Sequence, residues 1–349
     1  MDLHSLADKL LIRPTDKLNK RARIDTGSEC AYNCFFCYYH DTFRLERGME
    51  AIHKDMICAQ SSGMIDIDLS GGESSEHSKW LDIIALGKKY FRNVSTVSNG
   101  NKFSDKEFLQ ESYDTGLREI LFSMHGYDSE SHDRITGVAG SWKKLRKAIE
   151  NAQQLGMLVR LNTTLTRQTV SHYAEYGKLL KHINPFEINF LTINPWGNCK
   201  AAERAAYNDV CQVAKCVVFH ISDACYLNVR FVPFCHMVFY EYAVCDYLQH
   251  VYDPYDWNLL YSAQGNEDDE EAASCTDEFD VALINRRNSF VKRIECIKCK
   301  YFAICDGVEK TSTEPVQPIS GNRIVDCNHY RKDYYTEYED LMEKLNEDS

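Results

Sequence analysis

No apolar run in the 349 residues approaches the ~20 positions that a bilayer-spanning helix needs. The N-terminus also lacks a signal-peptide core and cleavage site. Basic excess is missing as well: 40 Lys and Arg stand against 52 Asp and Glu, a formal charge of −12. That balance argues against general nucleic-acid binding, which wants a basic stripe, while leaving room for a small anionic substrate held by a local Arg or Lys. There is no internal repeat, and the one biased stretch, Glu267-Asp268-Asp269-Glu270-Glu271, reads as a solvated loop. Without a secretory signal, the fifteen cysteines read as metal ligands and buried thiols in a reducing compartment, not as a disulfide framework. The expectation is a cytoplasmic metalloenzyme with no membrane or nucleic-acid partner.

From about Ala22 to Val232, β-rich runs alternate with amphipathic helical stretches. The runs are Ala22–Asp25, Asp66–Leu69, Val94–Val97, Glu119–Ser123, Leu158–Thr163, Glu187–Asn189 and Tyr226–Phe231, with helices such as Trp142–Leu155 and Val170–His182 between them. This rhythm predicts an α/β fold with a parallel sheet, whose ligands gather at the carboxyl ends of the strands. Past Pro233 the rhythm breaks and cysteines become denser. The expected parts are a lead-in over 1–21, a core over 22–232 and a Cys-rich extension over 233–349, which ends in a charged, aromatic helix near Tyr330–Leu345.

Three cysteines open the chemistry: Cys30-Ala31-Tyr32-Asn33-Cys34-Phe35-Phe36-Cys37, a CxxxCxxC loop. A [4Fe–4S] cube is normally held by four thiolates, so a loop offering three leaves one iron open to another ligand. The alternative is a partial zinc site, with His40 as a further donor. The spacing, with the aromatic Phe36 directly before the third Cys, resembles the radical S-adenosylmethionine (SAM) superfamily. The resemblance implies a partial (β/α)6 TIM-like barrel and an open iron that chelates the amino and carboxylate groups of SAM. It also implies reductive cleavage of SAM to a 5′-deoxyadenosyl radical and a flavodoxin- or ferredoxin-type electron donor.

Further stretches fit the same resemblance. Gly71, Gly72 and Glu73 follow a strand and look like the family's GGE motif, which contacts the SAM amino group. Ser98 and Asn99, in Ser98-Asn99-Gly100, resemble the turn that reaches the ribose or carboxylate, and Ser123 ends the fourth strand, where the resemblance implies a hydroxyl that faces SAM. Arg134 lies in a segment, His132 to Gly137, that matches a helix start whose Arg pairs with the SAM carboxylate; its other reading is a surface salt bridge. Asn162 and Thr163 at the end of the fifth strand, and Leu191 after the sixth, correspond to positions near ribose and adenine. His125 reads equally as a group that binds substrate or shuttles a proton and as a hydrogen-bonded structural histidine. Tyr240, Glu241, Asp253 and Asp256 are candidates for a general base.

A second set, Cys296, Cys299 and Cys305 in CxxCx5C spacing with Cys327 beyond, offers four thiolates. It resembles the SPASM extension of radical SAM enzymes and implies one auxiliary [4Fe–4S] cluster; a structural zinc ribbon is the alternative. Glu309 stands where the family pattern commonly has a further Cys, which argues against a complete second auxiliary cluster. Cys235 and Cys275 read either as parts of a degenerate site or as buried thiols.

The leading expectation is a radical SAM oxidoreductase or lyase. It would take hydrogen from an unactivated C–H of a polar small molecule, such as a sugar or nucleotide. Only 29 residues precede Cys30, less than a leader-binding domain, which weakens a second reading: maturation of a ribosomal peptide by cross-link, thioether or epimerisation. The reading from another class is a non-catalytic Fe–S or zinc protein.

Overall fold

A computed structural model of the chain describes residues 2–10, 20–37, 39, 45–193, 203–217, 220, 225–236, 259–261, 276–277, 289–303 and 305–323. After a short α1 (Leu3–Asp8), the chain alternates strand and helix. The order is β1 (Arg21–Asp25), α2 (Met49–Ser61), β2 (Asp66–Ser70), α3 (Trp80–Tyr90), β3 (Asn93–Ser98), α4 (Lys106–Thr115), β4 (Leu117–Ser123), α5 (Ser129–Thr136), α6 (Ser141–Gln154), β5 (Leu158–Leu165), α7 (Tyr173–Ile183), β6 (Glu187–Thr192), α8 (Tyr207–Val217) and β7 (Tyr226–Arg230). Each of the seven strands pairs in parallel with the next. The expected strands are all present and differ by at most three residues at either end. Of the two helices named from the sequence, the first is displaced by one residue. The second starts three residues late, because Thr166 and Thr169 close a turn through Thr166 N–H to Thr169 Oγ1 (3.1 Å) and Val170 N–H to the Thr166 carbonyl (3.0 Å).

Two side-chain rows give the sheet its shape. One row packs under the helices and is apolar: Ala22, Ile24, Ile67, Leu69, Val94, Ile120, Phe122, Val159, Leu161, Ile188, Phe190, Leu227 and Val229 all belong to one buried core. Burying each such side chain contributes roughly 1.5–3 kcal/mol. The opposite row is polar yet equally buried. Arg21 donates to Asp68 Oδ1 (2.7 Å), Ser95 Oγ (2.6 Å) and Glu119 Oε2 (3.1 Å). Arg160 donates to Glu119 Oε1 (2.6 Å) and Glu187 Oε2 (2.8 Å), and Asn189 and Asn228 extend the belt to β7. Strands lie about 4.8 Å apart, so a flat sheet would hold β1 and β4 about 14 Å apart. The Arg21–Glu119 pair across that interval requires the sheet to curl, with the belt lining the inside of a partial barrel. Burial opposes the charge on Arg160, but Glu187 and Glu119 beside it hold the guanidinium well above its ordinary pKa.

Beyond Pro233, β8 (Leu259–Tyr261) returns to pair in parallel with β1, and β9 (Thr276–Asp277) pairs antiparallel with β8. A separate ribbon joins β10 (Phe290–Val291) to β11 (Val308–Glu309). It is fastened to α8, where Glu309 N–H donates to Tyr207 Oη (2.9 Å) and Tyr207 N–H to Glu314 Oε2 (3.0 Å). Strands of two or three residues are too short to leave a periodic pattern, and none of these four is legible in the sequence. The terminal helix expected over 330–345 lies outside the described residues. Among the described residues, no helix is long and apolar enough to cross a membrane.

Candidate active site

The loops after β1 and β2 lie against one another at the carboxyl end of the sheet. Thr26 N–H donates to the Ser70 carbonyl (2.8 Å), Gly72 N–H to Gly27 (2.9 Å) and Glu73 N–H to Glu29 (2.6 Å). Gly71 has φ +127°, a region that favours glycine, and a Cβ there would run into the Gly27 backbone. A Cβ on Gly72 would strike the backbone of Ser28 and Glu29. The glycine pair thus lets the β2 loop lie flush against the cysteine loop and brings Glu73 beside Cys30.

Glu73 is buried and, among the described residues, accepts only from neutral donors: Ser75 Oγ (2.5 Å), Ser98 Oγ (2.8 Å) and Asn99 N–H (2.6 Å). Burial pushes its carboxyl up to about 7, against the pull of those three bonds. Asn99 also points its amide at Cys30 Sγ (3.5 Å), which accepts from Tyr32 N–H as well (3.4 Å). Burial raises the Cys30 thiol to about 12, the Glu73 charge adding to it, and burial raises Cys34 further still. The loop itself is fixed on the end of α5, with Asn33 N–H bonded to the Thr136 carbonyl (2.9 Å) and Phe35 N–H to Ile135 (3.3 Å). Two thiols that resist ionisation, Cys30 and Cys34, next to a carboxylate with no cationic partner among the described residues, make a site that favours added positive charge. A zinc ion needs its sulfurs within about 4 Å of one another. Among the described residues no three His, Cys, Asp or Glu side chains come together for a single metal ion. The irons of a cube each take one thiolate, so a cube accepts a wider spread.

The other expected positions divide. Phe36 sets its edge on the His125 ring (4.7 Å, 85°). His125 is buried, its Nδ1 accepts from Thr164 N–H (3.2 Å), and its carbonyl accepts from Tyr176 Oη (2.9 Å). Burial pushes His125 down to about 3, with the neighbouring His132 adding to the effect, so the imidazole is neutral and its proton sits on Nε2. Here the hydrogen-bonded structural role of His125 is the one its contacts support. Ser123, Asn162 and Asn189 lie in one register row across β4, β5 and β6, on the barrel side, and Leu191 pairs with Thr164 and Arg230 one step further on. Asn162 does not end its strand, since β5 runs on through the β-branched Thr163 and Thr164 to Leu165. Thr163 belongs to the opposite, helix-facing row and is fully buried. The segment from His132 to Gly137 closes a helix instead of opening one: α5 begins in a capping box at Asp128 and ends at Gly137 (φ +69°). Arg134 consequently sits on an exposed last turn, half-exposed and 3.9 Å from Glu130. Tyr240, Glu241, Asp253, Asp256, His40, Cys275 and Cys327 lie outside the described residues.

Two neighbours went unread in the sequence. Glu76 accepts from Ala31 N–H (2.8 Å) and Asn101 Nδ2 (3.1 Å), tying the cysteine loop to the loop after β3. Tyr32 has a buried hydroxyl without a partner among the described residues. Neither carries a spacing that marks it.

In the extension, Cys296, Cys299 and Cys305 line one cavity. Cys299 Sγ accepts from Ile319 N–H (3.4 Å) and Cys305 Sγ from Gly307 N–H (3.3 Å). Glu309 turns away to Thr311 N–H (2.9 Å) and to Arg204 (3.6 Å).

The sequence profile of the radical SAM superfamily matches residues 24–180, which run from β1 into α7. Residues 24–180 thus form a radical SAM domain. Its core is 31% identical over 149 residues to the "Probable GTP 3′,8-cyclase" of Thermoplasma volcanium, covering 42% of this chain and 45% of that protein. The sporulation killing factor maturation protein SkfB of Bacillus subtilis is 24% identical over 152 residues, which cover 42% of this chain and 36% of SkfB. The radical SAM core thus accounts for these matches, and they span less than half of each relative. Streptococcus suis SuiB bound to the precursor peptide SuiA superposes on 87% of this chain and 74% of its own, with a TM-score of 0.59 and 15% identity. At that identity the likeness is one of fold.

Proposed function

We propose that the chain is a radical SAM enzyme that abstracts hydrogen from an unactivated C–H of a polar small molecule. The proposed parts are a radical SAM core over 22–232 and a SPASM-like extension over 233–349. The observation that carries the reading is Glu73, a buried carboxylate served by neutral donors alone among the described residues, packed beside a loop of three thiols. Such a donor set fits an iron–sulfur cluster with one open iron and a ligand bearing an ammonium group. When bound, cluster and SAM together supply a carbon-centred oxidant able to take hydrogen from an unactivated carbon.

The chain's own residues do the rest. Cys30, Cys34 and Cys37 hold three irons, Glu73 accepts from the ammonium, and Ser98 and Asn99 keep that carboxylate aimed. Ser123, Asn162 and Leu191 form the barrel wall that positions the nucleoside, with Phe36 packing over the cysteine loop. Arg134, left at the surface by the end of α5, is given no part. Cys296, Cys299 and Cys305 hold an auxiliary cluster, and a flavodoxin- or ferredoxin-type protein is the reductant. The partly exposed Thr164 and Arg230, on the barrel side beyond the belt, support a substrate rich in hydroxyls or charge. Peptide maturation is the second reading, favoured by the fold shared with peptide-bound SuiB and by the similarity to SkfB.

Anaerobic reconstitution with iron and sulfide, reduction, and chromatography for 5′-deoxyadenosine test the proposal. Turnover of SAM is expected, with about eight irons per chain for two cubes. No 5′-deoxyadenosine, with about four irons or fewer, would overturn it. Acceleration by nucleotides or sugars supports the first substrate reading, and acceleration by a precursor peptide the second.

A further inference from the structure

We propose that Cys235 is a protein ligand of the auxiliary cluster, completing with Cys296, Cys299 and Cys305 a four-thiolate set that does not need Cys327. The inference rests on the reading of the extension as a cluster site and adds a ligand that no spacing rule reaches, since 60 residues lie between Cys235 and Cys296. All four cysteines line the same cavity.

Cys235 is held there from both sides. It is the middle residue of a 3₁₀ turn, Phe234–His236, which begins directly after Pro233. Phe234 stacks on Tyr301 (5.1 Å, 23°) and packs with Cys299 in a small apolar cluster that Cys305 and Ile319 adjoin. On the other side, His236 bonds through Nδ1 to Asn208 Oδ1 (2.9 Å) and through Nε2 to the Pro315 carbonyl (3.1 Å). A thiol whose turn is anchored on both sides, to Tyr301 and Pro315 in the extension and to Asn208 on α8, is a positioned group. Cys211 on α8 shows the contrast: it is buried among Val210, Val213 and Ala214 in the barrel's apolar core and does not line the cavity.

The surroundings are those of bound thiolates. Backbone N–H groups of Ile319 and Gly307 reach Cys299 and Cys305, and that of Gln317 reaches Cys235. Such donors set cluster potential and hold ligands in place. Lys292, also buried, lines the cavity, with its ammonium 5.4 Å from the Phe302 ring and bonded to the Cys305 carbonyl. A buried cation facing four thiolates offsets the negative charge that a cluster with four cysteine ligands carries.

The test uses the full chain in a Cys30→Ala, Cys34→Ala, Cys37→Ala background, so that only the auxiliary site is read. After anaerobic reconstitution this background should hold about four irons and four sulfides per chain. Adding Cys235→Ala should bring iron below about one per chain, while Cys327→Ala and Cys211→Ala should leave about four. Cys235→Ser, close in volume, serves if the alanine variant fails to fold by circular dichroism; a shifted electron paramagnetic resonance spectrum or lost iron supports the ligand role. Full iron with an unchanged spectrum in both Cys235 variants overturns the inference, as does loss of the cluster in Cys327→Ala. No iron in the background itself, with Cys235 intact and the protein folded, would instead overturn the cluster reading on which it rests.

Discussion

Two buried polar regions lie along the same strands and treat charge in opposite ways. In the belt, each of Asp68, Glu119 and Glu187 touches a guanidinium of Arg21 or Arg160. At the carboxyl ends, Glu73 touches none among the described residues, and burial holds the nearby Cys30 and Cys34 thiols far above their ordinary pKa. The first region pairs its carboxylates with guanidinium groups inside the fold and fixes which strand lies beside which. The second is left incomplete by the fold, and incompleteness of that kind is what a bound cation or cationic ligand corrects.

Removing the incomplete site's thiols gives the largest effect on chemistry. Alanine at Cys30, Cys34 or Cys37 should abolish 5′-deoxyadenosine formation and lower iron by about four per chain. The melting temperature of the metal-free protein should barely move, because these side chains lie outside the belt and core. Breaking the belt should do the reverse. Arg160→Met leaves Glu119 and Glu187 facing one another without their shared cation, at a cost of about 3–5 kcal/mol of unfolding free energy in a urea titration.

Glu73→Gln separates the regions more finely. Folding raises the Glu73 carboxyl from 4.5 to about 7. Its contribution to stability is therefore intact below pH 4.5 and is lost as pH rises through 7, by an amount on the order of 3 kcal/mol. The amide variant should accordingly make the metal-free protein more stable than wild type at about pH 8 and not at about pH 4, in paired denaturant titrations. The same change should weaken SAM binding about tenfold or more, as expected for losing a bond to a charged group. Arg134→Ala is the smallest perturbation. With only an exposed partner at 3.9 Å, it should shift stability by less than about 0.5 kcal/mol and leave SAM affinity unchanged by calorimetry.

The sheet was legible because short strands that alternate polar and apolar residues recur between amphipathic helical stretches, and the GGE and CxxxCxxC loops fall at the carboxyl ends where the sheet puts them. The belt was written in the same strands, in the alternation Arg21, Arg23, Asp25 of β1, but alternation says only which residues share a face. Arg21 meeting Glu119 depends on the curl of four strands, a property of the whole sheet. Arg134 was misplaced because a His-Asp-Arg run reads alike at either end of a helix, and only the capping by Asp128 and Gly137 tells them apart. Cys235 lies too far from its neighbours in sequence for spacing to connect them, and the strands after Pro233 are too short to show a period.

The pairing of β8 with β1 has a further bearing. The half-barrel's first rim is sealed by chain made more than 230 residues later, so a fragment stopping at Pro233 would leave the amides and carbonyls of Arg21–Asp25 bare along one side. Open rims of that kind recruit strands from other molecules. A proteolytic or recombinant piece lacking the extension is thus expected to clump, however intact its own helices and remaining strands.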